Sequence, residues 1–329
     1  MCSSDLEAGG RARTLGGFLE ADAEAGALLL TGGVRVDGWR LDEGRLEERA
    51  IATGLPTQLL AYPDRSGTEV TARGGARLTL TPGLALRAAA YRGFRLPTLN
   101  ELYRPFRVGA DATAANPALE PERLRGLEAG LDWRPLPGWQ LSLTGFHNRL
   151  EGAIANVTLA RGPGVFPQVG FVSAAGSFRQ RQNLDAVRAS GLEVEAAARR
   201  GWLSARAGYA LALARVEADG AAAPLDGQRP AQTPRHQLSA ALTLAPPPAS
   251  LTLAVRHASR QAEDDLGQRQ LPAATTLDAA LRVPLRAGLA ITVRAENLLD
   301  EEVVAGVSAT GIRDLGQPRT FWAGLEWAL

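Results

Sequence analysis

The sequence predicts an all-β protein: a transmembrane antiparallel β-barrel, incomplete, with about 13–14 strands of a larger barrel. Three observations lead there. Apolar and polar residues alternate with period two along most of the 329 residues, which assigns one set of side chains to each face of a sheet. The ionisable residues keep to one of the two phases. The connections between alternating stretches are short and long in turn.

Taken in order, the alternating stretches are Leu84–Tyr91, Leu127–Trp133, Leu141–Phe146, Leu203–Tyr209, Leu238–Leu244, Leu251–Arg256, Leu277–Val283, Leu289–Arg294 and Phe321–Leu329. Arg35, Asp37, Arg73, Arg77, Arg87, Glu128, Asp132, Glu193, Glu195, Arg206, Arg256, Asp278, Arg282 and Arg294 all take the polar phase. An arginine facing lipid at mid-bilayer costs about 2–4 kcal/mol, so a membrane wall needs this segregation. A one-sided soluble sheet needs it too, and the connections separate the two. Short joints fall near Ala23–Gly26, Thr81–Gly83, Pro135–Gly138, Arg199–Gly201, Ala245–Ala249 and Pro284–Gly288. Between them lie the long segments Leu41–Ser66, Phe94–Pro121, Val157–Gln182, Ala218–Pro234, Gln261–Leu271 and Asp300–Pro318. Tight periplasmic turns facing long extracellular loops are the habit of outer-membrane barrels. Leu119–Leu131 and Leu184–Arg199 have helical propensity, but their period of two favours strands.

Composition limits the alternatives. Hydrophobic content of 45% and charged content of 22% suit a folded chain. A net charge of +1 gives no global attraction to nucleic acid. No apolar run approaches the roughly 18 residues of a membrane helix, a test that strands evade. Cys2 is the sole cysteine, which excludes an internal disulfide and a cysteine metal cluster. Residues 1–10 read as a junction or non-native-looking N-terminus and residues 11–329 as the C-terminal portion of the barrel. The segment count is odd, about thirteen where bacterial barrels close with even numbers, so the chain is expected to begin inside a barrel. Alone it is not expected to insert as a closed pore.

One stretch says more than the rest: YRGFRLPTLNELYRPFRVGADATAANPALEPE, from Tyr91 to Glu122. With Gln182-Asn183-Leu184, Gly191-Leu192-Glu193-Val194-Glu195, the proline-led entry at Pro230–His236, Asn297-Leu298-Leu299-Asp300 and Gly316-Gln317-Pro318-Arg319-Thr320-Phe321, it resembles the TonB-dependent receptors of Gram-negative outer membranes. Two features depart from that pattern. The end reads Trp327-Ala328-Leu329, where family barrels close on an aromatic residue, and aromatics are only 5% of the chain. The resemblance covers only the later part of the barrel, without the family's plug or N-terminal coupling segment. It implies an outer-membrane receptor for a scarce ligand, a ferric siderophore first and a corrinoid next. The implied partners are the chain's own plug and N-terminal strands, a TonB-type energy-transducing complex reached through that N-terminus, outer-membrane lipid and lipopolysaccharide, and a small-molecule or metal-chelate ligand. No cofactor and no nucleic acid are expected.

Within the Tyr91–Glu122 loop, Arg92, Arg95, Arg104 and Arg107 are candidate contacts for an anionic ligand, with Tyr103 and Phe106 as its apolar face. Pro97, Glu101, Asn116, Pro117, Glu122, Asn297 and Asp300 are read as motif residues that fix loop and wall shape. Glu263-Asp264-Asp265 and Asp300-Glu301-Glu302 lack the spacing of a calcium loop and read as solvated charge. His147, His236 and His257 show no zinc-ligand spacing. With no GxSxG, P-loop or dinucleotide fingerprint, an enzyme is not expected. The competing functions are a passive porin and an autotransporter-type translocator barrel. Further off is a soluble β-structured binding protein.

Overall fold

The computed structural model describes residues 4–286 and 288–327. Cys2 and the terminal Ala328-Leu329 lie outside the described residues. One antiparallel sheet dominates. Its path runs through β1 (Ser4–Ala25), β2 (Leu28–Ala50), β3 (Arg65–Thr81), β4 (Leu84–Arg95), β5 (Glu122–Trp133), β6 (Trp139–Glu151) and β7 (Ala186–Arg200). It continues through β8 (Leu203–Glu217), β9 (His236–Leu244), β10 (Ser250–Ala258), β11 (Ala274–Pro284), β12 (Leu289–Glu296) and β13 (Thr320–Trp327). Each strand pairs with its neighbours along the path, and Pro56–Ala61 adds a side branch on β2. Among the described residues β1 and β13 do not pair with each other, so the barrel is not closed.

Both stretches with helical propensity are strands, as the period of two requires: Glu122–Trp133 and Ala186–Arg200. The expected long loop Leu41–Ser66 is the main correction. β2 runs on to Ala50, paired with β1 as far as Ser4↔Ala50, and only residues 51–64 separate it from β3. The charges that make this stretch look like loop are spent in cross-strand pairs instead, Arg45 with Glu7 at 2.5 Å and Arg11 with Glu43 at 3.0 Å.

The register confirms the two faces. Arg87 lies opposite Arg77 and Gly130, Glu193 opposite Thr144, Arg256 opposite Ser239 and Thr276, and Arg294 opposite Ala280. All the polar-phase charges named above share this face. There Arg87 bonds Asp132 at 3.3 Å and Ser142 at 3.1 Å, and the Tyr91 hydroxyl donates to Glu128 at 2.8 Å. The opposite face carries Leu86, Leu127, Leu143, Leu238, Ile291, Val293 and Leu325, all exposed. Short and long connections segregate to opposite ends. At the short end Gly26 and Gly201 turn with positive φ, a conformation that glycine adopts without steric penalty. Trp133, Trp139, Trp202 and Trp327, four of the six tryptophans, lie exposed at this end, one border of the apolar band.

Buried side chains concentrate at the long end. One cluster joins Trp39, Leu41, Leu102, Tyr103 and Leu119, and another joins Ala153, Val157, Leu184, Val216, Ala222 and Leu225. A small sheet made by two loops lies among them, in the order Ile154–Arg161, Ser177–Asn183, Asp111–Ala114, Phe106–Val108.

Candidate functional site

The Tyr91–Glu122 segment folds around one short helix, α1 (Leu99–Tyr103). Thr98 caps it: the Glu101 amide donates to Thr98 Oγ1 at 3.2 Å, and the Thr98 amide donates to Glu101 Oε2 at 2.7 Å. Pro97, buried, precedes the cap and fixes the entry. The Asn100 carbonyl accepts the Arg104 amide at 3.1 Å, and an arginine from another loop adds further donors at this end of the helix, where carbonyls run short of them. Arg181 Nη1 donates to Asn100 O at 2.5 Å and Arg104 O at 2.9 Å, and its guanidinium lies 4.8 Å from the Phe106 ring centre. Burial pushes the Arg181 guanidinium below its ordinary value, partly offset by Glu101.

Arg95 joins the end of β4 to this helix. It donates to Glu101 Oε2 at 2.8 Å and Oε1 at 3.1 Å, and to Glu122. Glu122, buried, also accepts the Ile154 amide at 2.6 Å. Burial alone would raise the Glu101 carboxyl, but the bonds from Arg95 and Thr98 outweigh it and hold the group below the usual carboxylate range.

The Asn116-Pro117 step closes the loop. The Asn116 amide donates to Glu101 O at 3.2 Å, and its Nδ2 to Arg181 O at 2.9 Å. Arg65 Nη1 donates to Pro117 O and Leu119 O, each at 2.8 Å. Asn183 accepts the Glu120 amide at 2.9 Å and donates to Gly152 O at 2.6 Å. Tyr103 is buried and stacks on Tyr62 with ring centres 5.1 Å apart, and burial raises its phenol. It lies against Gly44, where an added Cβ would meet the ring at 2.6 Å.

The candidate ligand contacts thus divide. Tyr103 is core. Phe106 lies under Arg181. Arg95 is held by two carboxylates, and Arg107 ties down the neighbouring loop through Phe171 O at 2.7 Å and Val169 O. Arg104 is exposed, and among the described residues its side chain makes no hydrogen bond or ion pair. Arg92 is opposite Ala72 and Arg125, on the apolar face of the sheet, away from Tyr91. Pro97, Glu101, Asn116, Pro117 and Glu122 all enter the loop framework.

Asn297 and Asp300 build a second framework. Asn297, buried with φ 50, donates through Nδ2 to Glu301 O at 2.9 Å and Gln317 O at 3.1 Å, while Asp300 pairs with Arg319 at 3.1 Å on the surface. Sequence reasoning missed Arg65, Arg181 and Asp111 and read Asp265 as solvated charge; all four bind loops together. Asp111 pairs with Arg179 at 3.1 Å and Arg269 at 3.5 Å, and Asp265 accepts the Thr158 amide at 2.8 Å. The Glu263-Asp264-Asp265 set is therefore partly an internal tie rather than solvated charge. No group of three metal-ligating side chains occurs among the described residues. The histidines bond separately, to Ser190, Tyr209 and Thr275.

A family model for the β-barrel of TonB-dependent receptor-like proteins matches residues 3–298. The chain belongs to that family. It is a family of receptors and transporters rather than enzymes, and its members are outer-membrane β-barrels. A search of curated proteins finds no match by sequence. Among solved structures, the siderophore receptor PiuA from Acinetobacter baumannii aligns with TM-score 0.72 at 15% identity, over 96% of this chain and 43% of its own. The ferric yersiniabactin uptake receptor FyuA from Yersinia pestis aligns with TM-score 0.72 at 16% identity, over 95% and 45%. The copper transporter OprC aligns with TM-score 0.73 at 19% identity, over 97% and 48%. At these identities the TonB-dependent receptor fold is what is shared. The chain spans less than half the length of each of these proteins.

Proposed function

We propose that this TonB-dependent receptor chain serves energy-dependent uptake of a scarce ligand across the outer membrane, a ferric siderophore first and a corrinoid second. One observation carries the reading: a wall polar on one face and apolar on the other, capped at its long-loop end by loops knit into a fixed layer, in a chain matched by the receptor family over 296 of its positions, 3 to 298. The names of the similar solved proteins, one a siderophore receptor and one a ferric yersiniabactin uptake receptor, support the ligand class. The plug, the N-terminal strands and the contact with a TonB-type complex belong to the same reading. Within the cap, Arg104 is the candidate contact whose charge stays free for an anionic chelate, while Arg95 and Arg107 hold the framework around it.

The test is uptake of radiolabelled ferric chelates by iron-starved cells carrying the whole receptor, with and without an uncoupler of the inner membrane. Saturable uptake abolished by the uncoupler is expected. Uptake indifferent to the uncoupler, with steady ion conductance in planar bilayers, would replace this reading with a passive porin. In the active receptor, Arg104→Gln is expected to weaken chelate binding by about tenfold, the loss of one charge-assisted contact.

A further inference from the structure

The polar-phase rule has one concentrated exception, and it is visible only in the register. Arg92 lies directly opposite Arg125, Arg125 opposite Arg149, Arg149 opposite Arg188, and Arg188 opposite Arg215. Five consecutive strands thus present an unbroken row of arginines. The row belongs to the apolar face, because one dyad step toward the short turns the same phase carries Ala90, Leu127, His147, Ser190 and Leu213. Four of the five are exposed and Arg149 is half-buried.

Directly paired residues on neighbouring strands sit about 5 Å apart, and like charges so placed repel. The neutralisation along the row is partial. Glu151 pairs with Arg125 at 3.4 Å and Arg149 at 3.5 Å, and Glu217 pairs with Arg149 at 2.7 Å and with Arg188. Arg92 and Arg215 make no ion pair among the described residues. Beyond Arg215 the positive charge continues into the loops. Arg229 is pushed below its ordinary value by burial and then by the charges of Arg235, Arg215 and Arg260. At the other end of the row, Arg92, Arg125 and Arg149 border a depression of about 640 Å³ floored by Ala72, Gly74, Ala90 and Leu127.

Height along the strand says what meets this row. Arg125 lies eight positions from Trp133, at the short-turn border of the apolar band. At about 3.3 Å per residue and a strand tilt of about 40°, that is about 20 Å of height, close to the ~25 Å apolar band of an outer-membrane barrel. The arginines therefore lie at the far border of the band, on the side of the long loops, where headgroups lie. An occupant must be anionic beside the guanidiniums and apolar beside Leu127 and Ala90. Arginine is the side chain best shaped for phosphate oxygens.

We propose that this row binds the headgroup phosphates of an anionic lipid in the outer leaflet, with a chain of that lipid lying over the Ala72, Ala90 and Leu127 floor. The inference rests on the sheet's apolar face meeting lipid, and its test separates the two. The whole receptor is placed in phosphatidylcholine nanodiscs, then in the same nanodiscs doped with diphosphoryl lipid A, and binding is read by native mass spectrometry. Entry into neutral phosphatidylcholine reports on the membrane reading alone, and failure there would remove both. Retention of lipid A, weakened about tenfold or more in the triple variant Arg92→Gln, Arg125→Gln and Arg215→Gln, is the expected result. The matching Lys variant keeps the charge and is expected to stay within about threefold of wild type, which separates lost charge from lost folding. Undiminished lipid A binding by the Gln variant would overturn the proposal. So would displacement of lipid A by low-millimolar inorganic phosphate, since the site would then be one for soluble anions.

Discussion

The wall and its loop layer are held by different means. In the loop layer Leu102, Leu119 and Val172 are fully buried against other side chains. On the wall's apolar face Leu127 is 59% exposed and Leu325 72% exposed, with no protein packed over them. A soluble protein does not leave such a face open over so many strands. The loop layer therefore has the energetics of a small globular domain, while the wall relies on its hydrogen-bonded ladder and on lipid as its solvent.

The contrast sharpens first through truncations. Leu102→Ala and Leu119→Ala are each expected to destabilise the loop layer by about 2–5 kcal/mol, read as faster hydrogen exchange of residues 96–121 in the whole receptor. Leu127→Ala on the wall is expected to change stability in the same detergent by less than about 0.5 kcal/mol. Equal effects at the two places would erase the distinction. Next comes charge on the apolar face. Ala129→Arg, midway along β5 in the lipid-facing phase, is expected to cost about 2–4 kcal/mol in a bilayer, measured as a lowered urea midpoint for refolding into vesicles.

Smaller effects probe how the layer is seated on the wall. Gly44→Ala brings a methyl into the Tyr103 ring and is expected to cost about 1–3 kcal/mol, seen as loss of protection around Tyr103 with the wall unaffected. Thr98→Ala removes the cap of α1 and is expected to cost about 1 kcal/mol locally. Acid has the same target. The folded Glu101 carboxyl is held below its unfolded value, so its contribution is fully present above the unfolded pKa of about 4.3 and is lost as pH falls through the lower folded value. Proteolysis of the Tyr91–Glu122 loop should therefore accelerate in that acid window, and Glu101→Gln should remove the acceleration.

The wall was legible in the sequence because each strand writes its own pattern. Leu251, Leu253 and Val255 alternate whatever their neighbours do, and the length of each connection is local information. The upper part of β2 was not legible, since Asp42 to Arg49 reads as loop until Glu7 and Arg11 on β1 meet its charges. The site was legible only as far as its linear motif. Pro97, Glu101, Asn116 and Glu122 lie together in one segment, while the arginines that lock them come from elsewhere, Arg65 from the start of β3 and Arg181 from a remote loop. The arginine row is the extreme case. Each strand contributes a single ordinary arginine, and no one strand shows the row.

The most direct test of the account is a two-face accessibility scan of β5 in the outer membrane. In the whole receptor, with Cys2→Ser and any cysteine outside this chain replaced as background, these 329 residues contribute no further thiol. Single substitutions Glu128→Cys, Ala129→Cys, Gly130→Cys, Leu131→Cys and Asp132→Cys are labelled with a fluorophore and exposed to a lipid-confined quencher and to a water-soluble one. Positions 129 and 131 are expected to be quenched from lipid and positions 128, 130 and 132 from water. Equal quenching of both sets from water, or a period other than two, would contradict a membrane wall built on this register.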